Sequence, residues 1–583
     1  MKRNWIKYTI GVVVVCVALW IIAIGIAFFY ITSHKEKIKT LIRSEINKRL
    51  AGTVSFDDLS TDFFQNFPGI SVDLKNVHIR DSLFSVHKRE LLSIKDLFVG
   101  FGIIDLLTGK KRPKYVTLSG GKIDLFTDST GYKNWDVLKK ESESKPQSSD
   151  QAGLRRVTFK NIDAVFEDVG KFKFFEILFE NTKCKIHPGK DEIRFGMDNN
   201  SLVKSAAFST KRGSYFTNKK FIADWDIVYD KQSQKLSLKN QVVRFDRQSY
   251  RVTGDFFISN DPHFELSFET RNLSLKEAAS IFPEKTANKI NRFTLSKPIP
   301  RLQAFLFGPM KYLSFPTAKI DFYVNDATLG ISTVQFDHCS FNVVIRNVND
   351  PSKTPTDENS VLQFTAVKGE WEKNQFDGKN IFIYNLIHPY LKCDIHLLFK
   401  LPQLDKAIAS PRLDLNSGDG EANLSYEGPL AKTDTGYNIN GDVWVRNGDM
   451  TYTPRNLRFK NTDIELLFQN GDMVVKKMNT EINDNKISIN GRVRGIVNFF
   501  NTDSSKANFE WNIYSPRLDI DKLTSALHRS TSTKKKDGYS FFNRFNNKIN
   551  RLFDDCNALL NIQADKLVYK NFQPTNVKGG LSL

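Results

Sequence analysis

Few side chains in this sequence are spaced to do chemistry together. The pairs nearest to a metal-ligand spacing are Cys393 with His396 and His338 with Cys339. Both sit in alternating apolar–polar stretches with no second pair of ligands, which points to structural roles. Cys16, Cys184, Cys339, Cys393 and Cys556 form no C-x-x-C pair and are odd in number, so they make neither a zinc or redox motif nor a disulfide framework. There is no H-E-x-x-H, phosphate-binding glycine loop, dinucleotide fingerprint, nucleophile elbow or EF-hand pattern. Ser119-Gly120-Gly121 reads as a glycine turn, because no helix start follows it to hold a phosphate. Acidic pairs are plentiful but alternate with apolar residues, as on the wet face of a strand. The expectation is a protein that is not an enzyme and carries no metal or cofactor.

The elements that position these residues read as strands. Of 583 residues, 40 % are hydrophobic and 26 % charged, which excludes a disordered chain and collagen. Forty-seven Phe, 17 Tyr and 7 Trp suit a pleated, half-buried surface. From Phe221 to Tyr229 the odd positions are apolar or aromatic, with Asp224 and Asp226 between them. Ile320, Phe322 and Val324 alternate in the same way, as do Phe341, Val343 and Ile345, then Ile395, Leu397 and Phe399, then Ile487, Ile489 and Val493. A two-residue period with one wet face marks antiparallel strands that bury a single side. Asn447-Gly448-Asp449, Asn470-Gly471-Asp472, Asn483-Asp484-Asn485 and Asn490-Gly491 supply positive-φ residues and are expected to be tight turns. Val443 to Gly495 is therefore a meander.

Phe264, Leu266 and Phe268, followed by Leu273, Leu275 and Ala278, are echoed at a constant offset by Phe509, Trp511 and Ile513, followed by Leu518, Ile520 and Leu523. Each copy is a strand running into a short helix, with Ser274 and Glu277 spaced as a capping box, and such repetition fits an elongated repeat architecture. Loop-like composition at Lys139–Gly153, Asp350–Ser360 and Ser530–Gly538 marks expected unit boundaries. The sequence stops in strand-like Gly580-Leu581-Ser582-Leu583, so the last strand closes the sheet or the sequence is part of something longer.

Ile10 to Ile31, through Trp20, is an uncharged apolar run. As a helix it spans roughly 33 Å at about 1.5 Å per residue, enough for a bilayer core and too long for a cleaved signal. Lys2, Arg3 and Lys7 precede it, and Lys35, Lys37, Lys39, Arg43, Lys48 and Arg49 follow it. Counted alone, the basic excess after the span would leave the C-terminal part in the cytoplasm, but long domains translocate largely regardless of flanking charge, so everything after the anchor is expected to be translocated. Ile38, Leu41, Ile42, Ile46 and Leu50 then follow helical spacing with basic residues between them. That helix is either a collar on anionic headgroups or a helix packed on the first strands. The net charge of +19 is spread along the whole chain, which suits anionic lipid surfaces and gives no nucleic-acid footprint.

Phe67-Pro68-Gly69-Ile70-Ser71-Val72-Asp73-Leu74-Lys75-Asn76-Val77-His78-Ile79 resembles the opening of the AsmA family. So do Leu91–Ile94, Leu106–Gly109, Leu118–Leu125 and Gly131–Trp135 in that order, while Val443–Gly495 resembles the family's C-terminal part. The resemblance implies a bacterial envelope protein, anchored in the inner membrane by a single pass, with most of the chain in the periplasm. It is similar to repeating β-groove proteins that carry phospholipid between membranes and contribute to outer-membrane biogenesis. Its partners would be membrane phospholipids, the inner membrane, and outer-membrane or envelope proteins. The family has no catalytic residues to carry over.

The expected fold is thus mainly β: an N-terminal transmembrane helix followed by an elongated, curled antiparallel sheet with a few short helices. Residues 1–9 are a cytoplasmic tail, 10–31 the anchor and 32–52 an amphipathic helix. Residues 53–140 form an AsmA-like β unit, 154–411 a central groove region and 412–583 a second AsmA-like unit. Exposing a 16-carbon acyl tail to water costs on the order of 12 kcal/mol, and a one-sided apolar trough removes most of that. Phe264, Leu266, Phe268, Phe509, Trp511 and Ile513 are the candidate lining residues. The competing reading is an envelope adaptor with dry sandwich cores, because both bury one face of each strand.

Overall fold

The alternating sequence builds strands almost throughout. The computed structural model describes residues 33, 36, 39, 40, 43, 44, 50–62, 70–101, 113–137, 153–310, 315–332, 334–430, 438–453, 456–501, 507–526 and 556–582. The chain forms two units, residues 1–270, 276–288 and 308–314 in the first and 271–275, 289–307 and 315–583 in the second. Their division falls inside the 154–411 stretch. Ile10, Trp20 and Ile31 lie outside the described residues; among those described, no helix is long and apolar enough to cross a membrane.

The first unit contains β1 (Gly52–Ser55), β2 (Asp58–Asp62), β3 (Ile70–Asp81), β4 (Leu92–Phe101), β5 (Tyr115–Thr127), β6 (Arg156–Asp168), β7 (Lys173–Pro188), β8 (Glu192–Ser209), β9 (Gly213–Tyr215), β10 (Lys219–Asp230), β11 (Lys235–Phe245), β12 (Gln248–Phe257) and most of β13 (His263–Leu273). β1 and β2 both pair with β3, and β9 pairs with the end of β8. From β3 onward each strand otherwise pairs with the next, with β8 joined to β10. The β5–β6 pair is parallel, which requires the long crossover between Thr127 and Arg156.

The second unit contains β14 (Phe293–Leu295), β15 (Ile299–Pro309), β16 (Thr317–Ile331), β17 (Val334–Arg346), β18 (Val361–Trp371), β19 (Asn374–Tyr384), β20 (Tyr390–Lys400), β21 (Leu413–Pro429), β22 (Asn438–Tyr452), β23 (Leu457–Gln469), β24 (Asp472–Ile482), β25 (Asn485–Arg494), β26 (Ala507–Asp519), β27 (Cys556–Val568) and β28 (Thr575–Ser582). β14 and β15 both pair with β16. The strands then pair in sequence order to β28, and only β26–β27 is parallel.

Left-handed residues inside the strands bend them. Asn76, Gly120 and Asn161 have φ of 48°, 64° and 52° and stand at one level of β3, β5 and β6. On either side the apolar residues lie three apart (Leu74 and Val77, Leu118 and Gly121, Phe159 and Ile162), so the same face stays apolar through the kink. Asp326, His338, Ala366, Asn380, Asn447 and Asn461 make comparable kinks in the second unit. Each such bulge bends its strand and increases local twist.

These kinks correct three expected turns. Asn470-Gly471 and Asn483-Asp484 are two-residue hairpins with positive φ at both positions, as expected. Asn447-Gly448 is instead a bulge within β22, and Ser119-Gly120-Gly121 is a kink within β5. Asn490-Gly491 lies within β25, where a side chain at Gly491 would meet Glu510 O at 2.1 Å. Asp350–Ser360 is a loop between β17 and β18 inside the second unit; Asn359 Nδ2 ties it by donating to the carbonyls of Asp350 and Thr354 at 3.0 and 3.2 Å.

The repeated strand-to-helix module is present in both copies. β13 runs into helix Leu275–Ala279, and β26 into helix Ile520–Ala526. A third instance, β20 into helix Leu401–Ile408, ends on Ala409 at φ 46°. Helical residues 39 and 43 face the first strands: Lys39 Nζ donates to Asp57 O at 3.1 Å and Arg43 to Phe56 O at 3.1 Å. The apolar positions of that expected helix, Ile38, Leu41, Ile42 and Ile46, lie outside the described residues.

Candidate functional site

Register, more than any cluster of reactive groups, defines the site. In the first unit, Phe264, Leu266 and Phe268 on β13 stand opposite Phe256, Gly254 and Val252 on β12. Phe256 and Gly254 stand opposite Leu236 and Leu238 of β11, while Val243 and Phe245 stand opposite Ala223 and Phe221 of β10. One face is thereby apolar across successive strands. Its centre is buried at Ala223, Val243 and Val252, but the large side chains around them (Phe221, Trp225, Phe245, Tyr250 and Phe268) are only half-buried. Phe221 stacks on Phe245 at 4.9 Å and meets Trp225 edge-on at 5.5 Å. Burial pushes the Tyr250 phenol well above its ordinary range, with Glu277 adding to the shift. The Trp225 indole N–H is enclosed in this face with no hydrogen-bond acceptor.

The second unit repeats the arrangement. Phe509, Trp511 and Ile513 stand opposite Val493, Gly491 and Ile489 of β25 and Ala558, Leu560 and Ile562 of β27. Phe509 is buried, Trp511 and Ile513 are half-buried, and Asn508, Glu510 and Asn512 between them are exposed. Phe509 and Trp511 meet edge-on at 5.3 Å. All six candidate lining residues thus lie on apolar faces, three in each unit. Ile10, Trp20 and Ile31 are outside the described residues.

Several regions are dry. At the start of the first unit, Val54, Phe56, Leu59, Leu74, Val77 and Val137 form a closed cluster. In the second, helix Ile496–Asn501 lays Ile496, Val497 and Phe499 over Val493, Ala507 and Phe509. Helix Leu401–Ile408 likewise packs Leu401 and Leu404 against Phe399, Leu415 and Val445, whereas around Val243 and Val252 the cluster consists of strand residues.

The opposite face holds ladders of charge. Lys204 Nζ reaches Asp163 and Glu176 at 2.9 Å each, and Lys476 Nζ reaches Glu465 at 3.2 Å and Asp442 at 3.6 Å. His396 bridges Asp377 at 2.7 Å and Glu421 at 3.2 Å, while Cys393 is buried on the apolar face. The strand period puts these two candidate ligands on opposite sides. His338 binds Asp326 at 2.8 Å, and neighbouring Cys339 is buried. Among the described residues no group of three His, Cys, Asp or Glu side chains is placed to hold a metal.

Phe221 and Trp225 are visible in the alternation of Phe221–Tyr229, whereas Phe245 and Tyr250 lie beyond it on β11 and β12. Phe166 and Phe175, also on this face, were missed because the kinks at Asn161 and near Glu180 break the two-residue period.

The fold and its face define a β protein of strands paired mainly with their sequence neighbours and carrying a one-sided apolar surface. Comparison with family models, curated proteins and solved structures gives no match.

Proposed function

We propose that the protein binds phospholipid acyl chains along these apolar faces and assists lipid transport between the inner and outer membranes of a bacterial envelope. The observation that carries this reading is the half-burial of large side chains on a face kept apolar strand after strand. A closed sandwich core would bury Phe221, Trp225, Phe245 and Phe268 as fully as Val243. Each acyl CH₂ laid against such a face recovers about 0.8 kcal/mol. No step of this function needs a catalytic group, and the AsmA resemblance of Ile70–Ile79 and Leu118–Leu125 points the same way. Anchoring through Ile10–Ile31, with the bulk of the chain in the periplasm, belongs to this proposal.

A second reading, an envelope adaptor with dry cores, draws on the closed clusters around Phe56 and Phe499. Mass spectrometry of lipids retained by the purified full-length protein separates the two. Stoichiometric phospholipid supports transport; a folded, lipid-free chain supports the adaptor.

A further inference from the structure

We infer that one rim of the first unit is a lip that seats on an anionic bilayer surface, where lipid reaches the apolar face; the inference rests on the lipid-binding reading above. Register brings the ends of four strands together at this rim. Thr127 of β5 stands level with Asp168 of β6, Asp168 with Lys173 of β7, and Phe174 with Ala207 of β8.

An unbroken path of rings leads out along it. Phe166 and Phe175, both on the apolar face, lie 6.1 Å apart. Phe166 meets Trp135 edge-on at 6.1 Å, and Phe175 meets Phe208 at 5.2 Å. Trp135 is 38 % exposed and Phe208 59 %. Beside them the turns leave Val169 and Phe172 exposed, with Thr210 N donating to Phe172 O at 2.7 Å to hold the two turns together. The apolar face therefore continues into solvent here. Clustered large apolar side chains of this kind mark an interaction surface.

The charge beside them selects the partner. Lys211 Nζ lies 4.0 Å from the centre of the Phe172 ring, and Lys133 Nζ 5.5 Å from that of Trp135. Lys171 and Arg212 occupy the same two turns. Of the acidic residues, Asp168 is buried and pairs with Lys171 Nζ at 3.5 Å, while Asp128, whose Oδ1 accepts from Thr130 N at 2.8 Å, is half-buried and Asp136 exposed; Lys133, Lys211 and Arg212 outnumber these two. Exposed rings flanked by lysine and arginine match the boundary between acyl chains and anionic headgroups. Continuity with the apolar face favours hydrocarbon over an acidic protein partner.

The test is hydrogen exchange on the full-length chain in nanodiscs of phosphatidylcholine alone or mixed with phosphatidylglycerol. Turns 168–173 and 208–213 should exchange about fivefold more slowly or less in the anionic discs. The hairpin at 188–193, on the opposite strand ends, should be unchanged. A Lys211→Glu, Arg212→Glu variant should lose the slowing while other regions keep their protection. Equal exchange in both discs, or slowing that survives the charge reversal, overturns the lip. Bound lipid counted by native mass spectrometry on the same samples separates the two readings. A lipid-free apolar face with protected turns refutes lipid transport and leaves a membrane contact, whereas a loaded face with unprotected turns refutes the lip alone.

Discussion

Trp511 lies directly over Gly491: a β-carbon at position 491 would stand 2.9 Å from Trp511 Cδ1 and 2.1 Å from Glu510 O. The glycine is thus a seat for a large ring on the apolar face, where a turn was expected. Gly491→Ala should overpack the seat and destabilise the second unit by about 1–3 kcal/mol, read as a lower urea midpoint. An unchanged midpoint would show that the β26 backbone and the ring both shift freely to admit the methyl group.

Asp73 and Lys75 form an unequal pair on β3. Lys75, contacting Asp73 and Asp96, is pushed up to about 12, while burial still holds the Asp73 carboxyl above its ordinary value. A raised carboxyl pKa means the folded state binds the proton more tightly, so its stabilising effect is present at low pH and lost as pH rises through the folded value. Near neutrality Asp73 is therefore a cost. Asp73→Asn should be neutral or stabilising at pH 7. Lys75→Met, which leaves the buried carboxylate with less compensation, should destabilise, and the deficit should shrink on acidification. Urea titrations of both variants at two pH values check the order.

His396 gives the opposite pH window. Its hydrogen bond to Asp377, assisted by Glu421, raises its pKa above 6.5. The stabilisation is complete below the unfolded value and disappears as pH rises through the folded one. The stability gap between the wild type and His396→Gln should be widest below the ordinary imidazole range and close as pH rises through the higher folded value. A gap independent of pH would mean that the ring is held neutral.

Much of this architecture was legible in the sequence because a strand's period is local. Phe264, Leu266 and Phe268, and Phe509, Trp511 and Ile513, fall on one face as their alternation requires, and Asn470-Gly471 is a hairpin because both φ values must be positive. The kinks were not legible. A bulge and a tight turn ask for the same residue types, so Asn447-Gly448 and Gly120-Gly121 read as chain reversals although both continue their strands. The parallel pairing of β5 with β6 depends on a crossover that leaves no local signature. Whether an apolar face is covered is a long-range property, which is why Phe509 and Phe268 look alike in sequence and differ in burial.

The most direct test of the central claim is photocrosslinking of the full-length protein with phospholipid carrying a photoreactive group in its acyl chain. Adducts should map to Trp225, Phe245 and Phe268 on the apolar face and spare Val242, which is 55 % exposed on the other side of β11. Adducts on Val242 and its exposed neighbours alone, or none within the first unit, would contradict the account.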